Sequence, residues 1–128
     1  MRTKIVLLIA CVVLAAAAPV VAHHSFSAVF DATKKVSLTG TVTKFEWANP
    51  HIWFYFDVKD ANGSVAAWQC EGGAPNSLVR RGWNKNSLKT GEVISVEGSR
   101  AKDGSNTCAA SSVKTSDGKQ LFSGQATP

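Results

Sequence analysis

Residues 51–58 read HIWFYFDV, and this stretch decides the fold. All of its even-numbered positions are apolar. Successive side chains of a β-strand point to opposite faces, so a period of two predicts a strand with one face against a core. We therefore expect the even-numbered positions to face the core and Trp53 and Tyr55 to lie on the opposite face, together with His51.

Strand signals continue on both sides of this stretch. Residues 36–47 predict one long strand. Its apolar residues change from even-numbered positions (Val36, Leu38, Val42) to odd-numbered ones (Phe45, Trp47), and a bulge or sharp bend at Gly40 is the expected cause. Residues 60–63, DANG, predict a hairpin turn. Residues 64–71 then predict a strand that pairs back on residues 51–58.

The second half of the chain predicts a helix followed by more strands. Pro75 opens a short helix that ends near Gly82, since proline is favoured in the first turn and glycine at the end. Residues 92–101 and 107–114 predict two further strands, and a last short strand runs through Phe122.

Three strands, a helix and two more strands are the order of an OB-fold. We predict a mainly β protein, a small OB-like five-stranded Greek-key barrel with one short helix between strands 3 and 4. The alternative is a β-sandwich, which needs about seven strands. We assign residues 36–123 to the barrel domain, residues 23–35 to an N-terminal segment and residues 124–128 to a flexible tail.

Residues 1–22 have the pattern of a secretory signal peptide, with a basic start, an apolar core and small residues up to Ala22. Cleavage after Ala22 would make His23 the N-terminus and place the protein in the periplasm or outside the cell. A retained membrane anchor is disfavoured because no basic residue follows before Lys34. We therefore expect no stable membrane insertion.

The charge balance depends on this cleavage. The full chain holds 14 Lys and Arg against 9 Asp and Glu, a net charge of +5, which suggests a nucleic-acid or membrane-surface partner. Cleavage removes Arg2 and Lys4 and lowers the net charge to +3. An exported protein with no basic run longer than a pair is not expected to bind nucleic acid.

Cysteine usage is consistent with export. Cys11 leaves with the signal peptide, and Cys70 and Cys108 remain as one pair in an oxidising compartment, so we predict a disulfide between them. Closing the loop between Cys70 and Cys108 would stabilise the fold by ~4 kcal/mol in the chain-entropy model. The spacing does not match a redox, zinc or haem-attachment motif.

The three histidines are the candidate metal ligands. An N-terminal His23 offers one metal ion both its α-amine and a ring nitrogen, and His51 could supply the third nitrogen of a tetragonal site suited to Cu(II). An alternative is a local chelate made by the amine, the next amide and His24. Zinc is less favoured because the motif lacks a thiolate and an obvious carboxylate.

An aromatic face is the basis of a second hypothesis. Trp47, Trp53 and Tyr55, with Asn49 in the intervening turn, could form a non-metal binding surface for a small molecule or a partner protein. The competing interpretation is that residues 25–30 or the last strands cover this face. In that case the N-terminal histidines would also approach His51.

The sequence gives little support for an enzyme. It contains no nucleophile elbow, P-loop, dinucleotide glycine motif or H-E-x-x-H sequence, so we predict no catalytic residues. A copper-dependent oxidase is disfavoured because so short a chain leaves little surface for a polymeric substrate.

Eight short motifs occur together along the chain: Ala22-His23-His24-Ser25-Phe26, Gly40-Thr41-Val42, Glu46-Trp47, Asn49-Pro50-His51, Gly73-Ala74-Pro75-Asn76 with Leu78, Arg81-Gly82-Trp83, Val96-Glu97-Gly98 and Ala101-Lys102-Asp103-Gly104-Ser105. Together they resemble a family of small exported bacterial proteins classed as a domain of unknown function. The resemblance spans essentially the whole chain after the signal peptide, and Cys70 and Cys108 depart from the family pattern. It implies an exported, single-domain protein with a barrel-like β fold, and it supplies no catalytic residues.

Overall fold

The computed structural model describes residues 26–122, which form six strands and two short helices. The mainly β class is confirmed, and so is the helix between the third and fourth strands. In chain order the elements are α1 (Phe26–Val29), β1 (Phe30–Glu46), β2 (Trp53–Lys59), β3 (Val65–Glu71), α2 (Pro75–Val79), β4 (Val93–Ala101), β5 (Thr107–Thr115) and β6 (Gln120–Phe122).

The pairings of the first five strands form a closed circuit. The long strand β1 pairs with both β2 and β4, and β2–β3 and β4–β5 complete the antiparallel pairs. A parallel pairing of β3 with β5 then joins the two ends. The strand β6 pairs with β5 and lies outside this circuit.

The bulge expected in the first strand lies at a different residue. The register of β1 against β2 shifts between Val42 and Lys44, whereas the prediction placed the irregularity at Gly40. The shift explains the change of apolar parity, because an extra residue turns every later side chain to the other face. Gly40 has another role, since a Cβ there would lie 2.9 Å from Cδ2 of Phe56 and would also meet the backbone of Asp57.

The first strand also begins earlier than expected. Residues 30–35, which the sequence assigned to an N-terminal segment, belong to β1: Phe30 is the register partner of Ala101, and Lys35 is that of Ser99. The run of charged and polar residues between them hid this extension, because those side chains are exposed and carry no apolar alternation.

The core lies inside the circuit and uses the predicted face of β2. Ile52 and Phe54 are fully buried, and Phe56 is buried beside them, as the alternation indicated. The other core side chains come from the remaining strands of the circuit, from the segment after β3 and from β6. They include Val42, Cys70, Leu78, Trp83, Leu88, Ile94, Val96, Cys108, Ala110, Val113 and Leu121. The predicted Cys70–Cys108 disulfide is present within this core.

The connections follow the turn signals with one difference. The Asp60 carboxylate accepts hydrogen bonds from the backbone N–H groups of Asn62 and Ser64, and these bonds close the predicted hairpin. The helix α2 ends at Val79 instead of near Gly82; Leu78 is buried in the core, whereas Val79 is 59% exposed. Within the described part of the chain, no helix is long and apolar enough to cross a membrane.

Several predicted features lie outside the described residues. They are the signal peptide of residues 1–22 with Cys11, the cleavage site at Ala22, the candidate ligands His23 and His24, and the tail of residues 124–128.

Candidate functional site

The outer face of the first three strands brings together a histidine, two aromatic residues and two carboxylates. Trp53 of β2 has Glu46 of β1 as its register partner on one side and Glu71 of β3 on the other. Tyr55 follows on the same face of β2, and His51 lies in the loop just before it. We call these five residues the outer patch.

A polar contact with Glu71 holds the imidazole of His51. The Nδ1 atom of His51 contacts Oε1 of Glu71. The Glu71 side chain is only 15% exposed, whereas that of His51 is 43% exposed. Glu71 therefore engages Nδ1 of the ring, and the other nitrogen, Nε2, is the one that a ligand can use.

The loop that carries His51 is anchored to the core directly after this residue. It contains a cis peptide bond between Asn49 and Pro50. The next residue after His51, Ile52, donates its backbone N–H to the carbonyl of Gly73 and accepts the N–H of Gly72. Because Ile52 is also fully buried in the core, the backbone beside His51 has little freedom to move.

The second carboxylate of the outer patch is engaged by a lysine and a tyrosine. Lys44 forms an ion pair with Glu46, and the Tyr55 hydroxyl donates a 3.2 Å hydrogen bond to the same carboxylate. The hydrogen bond from Lys44 lowers the pKa of Glu46 and raises the pKa of Lys44. Burial and the hydrogen bond to Glu46 raise the pKa of Tyr55, so at neutral pH this network consists of one anion, one cation and a neutral phenol.

The predicted aromatic face is only partly formed. Trp53 and Tyr55 lie side by side on the outer patch, each partly buried. Trp47 instead packs against the core, where its ring is 6.2 Å from that of Phe45. Asn49 is exposed in the loop between β1 and β2. The bulge in β1 accounts for the orientation of Trp47, because after the register shift the odd-numbered residues Phe45 and Trp47 face the core instead of the even-numbered ones.

The N-terminal segment packs beside the outer patch. Phe26 of α1 packs against a small cluster of Phe30, Ala101 and Ala109, and the rings of Phe26 and Phe30 are 5.5 Å apart. Ala109 is the register partner of Glu71 in the parallel β3–β5 pair. The cluster and the outer patch therefore meet at neighbouring strands of one face.

The described residues do not form a complete metal site by themselves. Between Phe26 and Phe122, no group of three or more His, Cys, Asp or Glu side chains could hold a metal ion. His51 is the one predicted ligand within this range. A site that includes it needs further ligands from residues such as His23 and His24.

Glu71 is the residue of this site that the sequence did not single out. The predicted turn at residues 60–63 would pair Lys59 with Ser64 and place Cys70 opposite Trp53. The structure pairs Lys59 with Val65, one residue further along, and this register places Glu71 opposite Trp53.

A separate cleft of about 450 Å³ is lined by none of the outer-patch residues. The loop of residues 84–89, Glu92 and the β5–β6 turn form its walls. Asp117 in this turn accepts a hydrogen bond from the Thr115 hydroxyl and another from the backbone N–H of Lys119, so its carboxylate already has partners.

Comparison with known proteins gives one match. Residues 10–110 match the model of a family described as a family of unknown function, DUF6152. No curated protein and no solved structure shows significant similarity to the chain.

Proposed function

The chain belongs to DUF6152, a family of unknown function, and we propose that it is a small exported protein that binds Cu(II). His23 supplies its α-amine and a ring nitrogen, His51 supplies a further ring nitrogen, and His24 is the adjacent imidazole of the alternative local chelate. The role is sequestration or delivery of the metal. The observation that carries the proposal is the state of His51: its Nδ1 is held by Glu71, and its side chain remains 43% exposed.

The position of Phe26 supports a contribution from the N-terminal histidine. Phe26 packs in the cluster that contains Ala109, and Ala109 is the strand neighbour of Glu71. Neighbouring strands are about 4.8 Å apart. Three residues of extended chain can span about 10 Å, and this reach supports a contribution of His23 at His51.

The proposal requires export and cleavage after Ala22. The α-amine of His23 exists only in the processed chain, and a retained signal peptide would replace it with an amide that binds metal poorly. The buried Cys70–Cys108 disulfide is compatible with an oxidising compartment. Expression in a bacterial host followed by N-terminal sequencing of the periplasmic protein tests this step, and any N-terminus other than His23 contradicts it.

We also propose that the strand circuit is an OB-like Greek-key barrel. Support comes from the circuit order β1–β2–β3–β5–β4 and from the helix α2 between β3 and β4. In such barrels the second and third strands and the first loop form the usual ligand surface. The outer patch, with His51 in the loop between β1 and β2, occupies the corresponding position.

A copper titration of the protein that begins at His23 tests the function. We expect one equivalent of Cu(II) to give an electron paramagnetic resonance spectrum typical of tetragonal nitrogen coordination. One extra residue before His23 should abolish this spectrum, and His51→Ala should change it. Asn49→Ala is the matched control, because Asn49 is exposed in the same loop and should leave binding unchanged.

Three outcomes of this titration separate the alternatives. No copper signal at one equivalent excludes the proposed function. A signal that survives the N-terminal extension excludes the use of the α-amine. A signal that His51→Ala leaves unchanged indicates the local chelate of the amine, the amide and His24.

A non-metal binding module is the competing proposal. Trp53 and Tyr55 support it, because they are partly buried side by side on one face. Two contacts weigh against it: Trp47 packs against the core, and the Tyr55 hydroxyl donates a hydrogen bond to Glu46. A change in the intrinsic fluorescence of Trp53 on addition of a small molecule, absent in Trp53→Ala, would favour it.

A further inference from the structure

The carboxylate of Glu71 sits in a rigid part of the molecule, whereas its partner His51 lies in a loop. Glu71 ends β3 and has register partners on both sides, Trp53 on β2 and Ala109 on β5. Its neighbour Cys70 is fully buried and disulfide-bonded to Cys108. The backbone at Glu71 is therefore held by two strands and a covalent link, so Glu71 can orient His51.

The chemistry of the contact determines which nitrogen of His51 carries the proton. An ionised carboxylate only accepts hydrogen bonds, so the Nδ1 atom that faces it must carry the hydrogen in the neutral ring. The lone pair then lies on Nε2, and the ring cannot turn without losing the contact. A carboxylate that binds the non-ligating nitrogen in this way fixes the tautomer and raises the basicity of the ligating one.

We propose that Glu71 is a positioning residue that presents Nε2 of His51 as the metal-binding atom. This inference rests on the proposed copper function and adds a residue that does not itself bind the metal. Glu71 acts on the metal only through the ring, by setting its orientation and its tautomer.

The chain provides a matched control in Glu46. Glu46 and Glu71 are the register partners of Trp53 on the two neighbouring strands, so the two glutamates lie on the same face of the sheet. Glu46 is bonded to Lys44 and Tyr55 instead of to His51. Replacing either glutamate by glutamine removes one negative charge from the outer patch, but only Glu71→Gln changes what His51 contacts.

The tautomer of His51 can be measured in the metal-free protein by ¹⁵N nuclear magnetic resonance, with His51→Ala used to assign its signals. We expect the wild-type ring to carry its proton on Nδ1 at a pH where it is neutral. Glu71→Gln should give a mixture of tautomers, because an amide can offer the ring either a carbonyl oxygen or an NH₂ group. Glu46→Gln should leave the signals unchanged. A wild-type ring protonated on Nε2, or a Glu71→Gln spectrum identical to wild type, would overturn the inference.

Copper affinity is the second measurement. We expect Glu71→Gln to weaken Cu(II) binding about 10- to 100-fold, the range seen for partners of metal-binding histidines. Glu46→Gln should have no comparable effect. If wild-type protein binds no copper, the proposed function fails, and the tautomer measurement still decides whether Glu71 orients the His51 ring. If wild-type protein binds copper and the two glutamine variants bind equally well, the role of Glu71 fails alone.

Discussion

Cys70 and Cys108 are register partners in the parallel pairing of β3 with β5, and a disulfide joins them with their Cα atoms 4.5 Å apart. This pairing spans only a few residues, and it is the contact that closes the strand circuit. The covalent link therefore reinforces the shortest pairing in the circuit.

Removal of this disulfide should destabilise the protein substantially. We expect the double variant Cys70→Ala, Cys108→Ala to lose about 2–5 kcal/mol of unfolding free energy, because the open chain regains loop entropy and the core loses two buried sulfur atoms. Urea denaturation followed by tryptophan fluorescence measures the change. A loss below about 1 kcal/mol would show that hydrogen bonding and packing hold β3 against β5 without the link.

Gly40→Ala should destabilise the protein because β1 and β2 approach each other too closely for a side chain. The added Cβ would lie 2.9 Å from Cδ2 of Phe56 and would meet the backbone of Asp57. Overpacking of this kind costs about 1–3 kcal/mol. Thr41→Ala, a change at the exposed neighbouring position, is the control and should cost less than about 1 kcal/mol. Equal effects of the two substitutions in denaturation experiments would contradict the close approach.

Acid should destabilise the protein through two turn aspartates. The hydrogen bond from Ser105 lowers the pKa of Asp103, and the hydrogen bond from Thr115 lowers the pKa of Asp117. A carboxylate with a lowered folded-state pKa stabilises the fold above its unfolded value, about 3.9, and this stabilisation disappears as the pH falls through the folded-state pKa.

The measurement for this prediction is the urea midpoint between pH 6 and pH 2. We expect the midpoint of the wild-type protein to fall below about pH 4, and the fall to be smaller in the double variant Asp103→Asn, Asp117→Asn, because asparagine accepts the same hydrogen bonds without titrating in this range. Identical pH profiles for the two proteins would show that other groups cause the acid sensitivity.

Phe26→Ala should weaken copper binding without removing a ligand. Phe26 packs beside Phe30 and attaches the N-terminal segment next to the outer patch, so its loss lowers the effective concentration of His23 at His51. We expect a loss of affinity of about tenfold or more. Val29→Ala changes an exposed residue of the same helix and should leave the affinity unchanged. Equal affinities for the two variants would indicate that Phe26 does not position the N-terminal histidine.

The extent to which this fold follows from local sequence differs from element to element. The alternation in residues 51–58 was enough to assign the buried face of β2, because burial on one face imposes a period of two. The same rule failed for residues 31–35, which belong to β1 although their mostly exposed side chains show no such period. The bulge was expected at Gly40 because glycine is common in bulges, yet the extra residue lies between Val42 and Lys44, and Gly40 is required by the approach of β2.

For the candidate site, the sequence by itself determined the residue types: three histidines, the tryptophan and tyrosine beside one of them, and a pair of cysteines able to form a disulfide. Only the tertiary structure decided which of these residues meet. It paired His51 with Glu71 and packed Trp47 against the core. It also packed Phe26 against a cluster that contains Ala109, the strand neighbour of Glu71. These contacts join residues far apart in sequence through strand register, and register depends on the whole circuit of pairings, including a bulge that a local pattern does not locate.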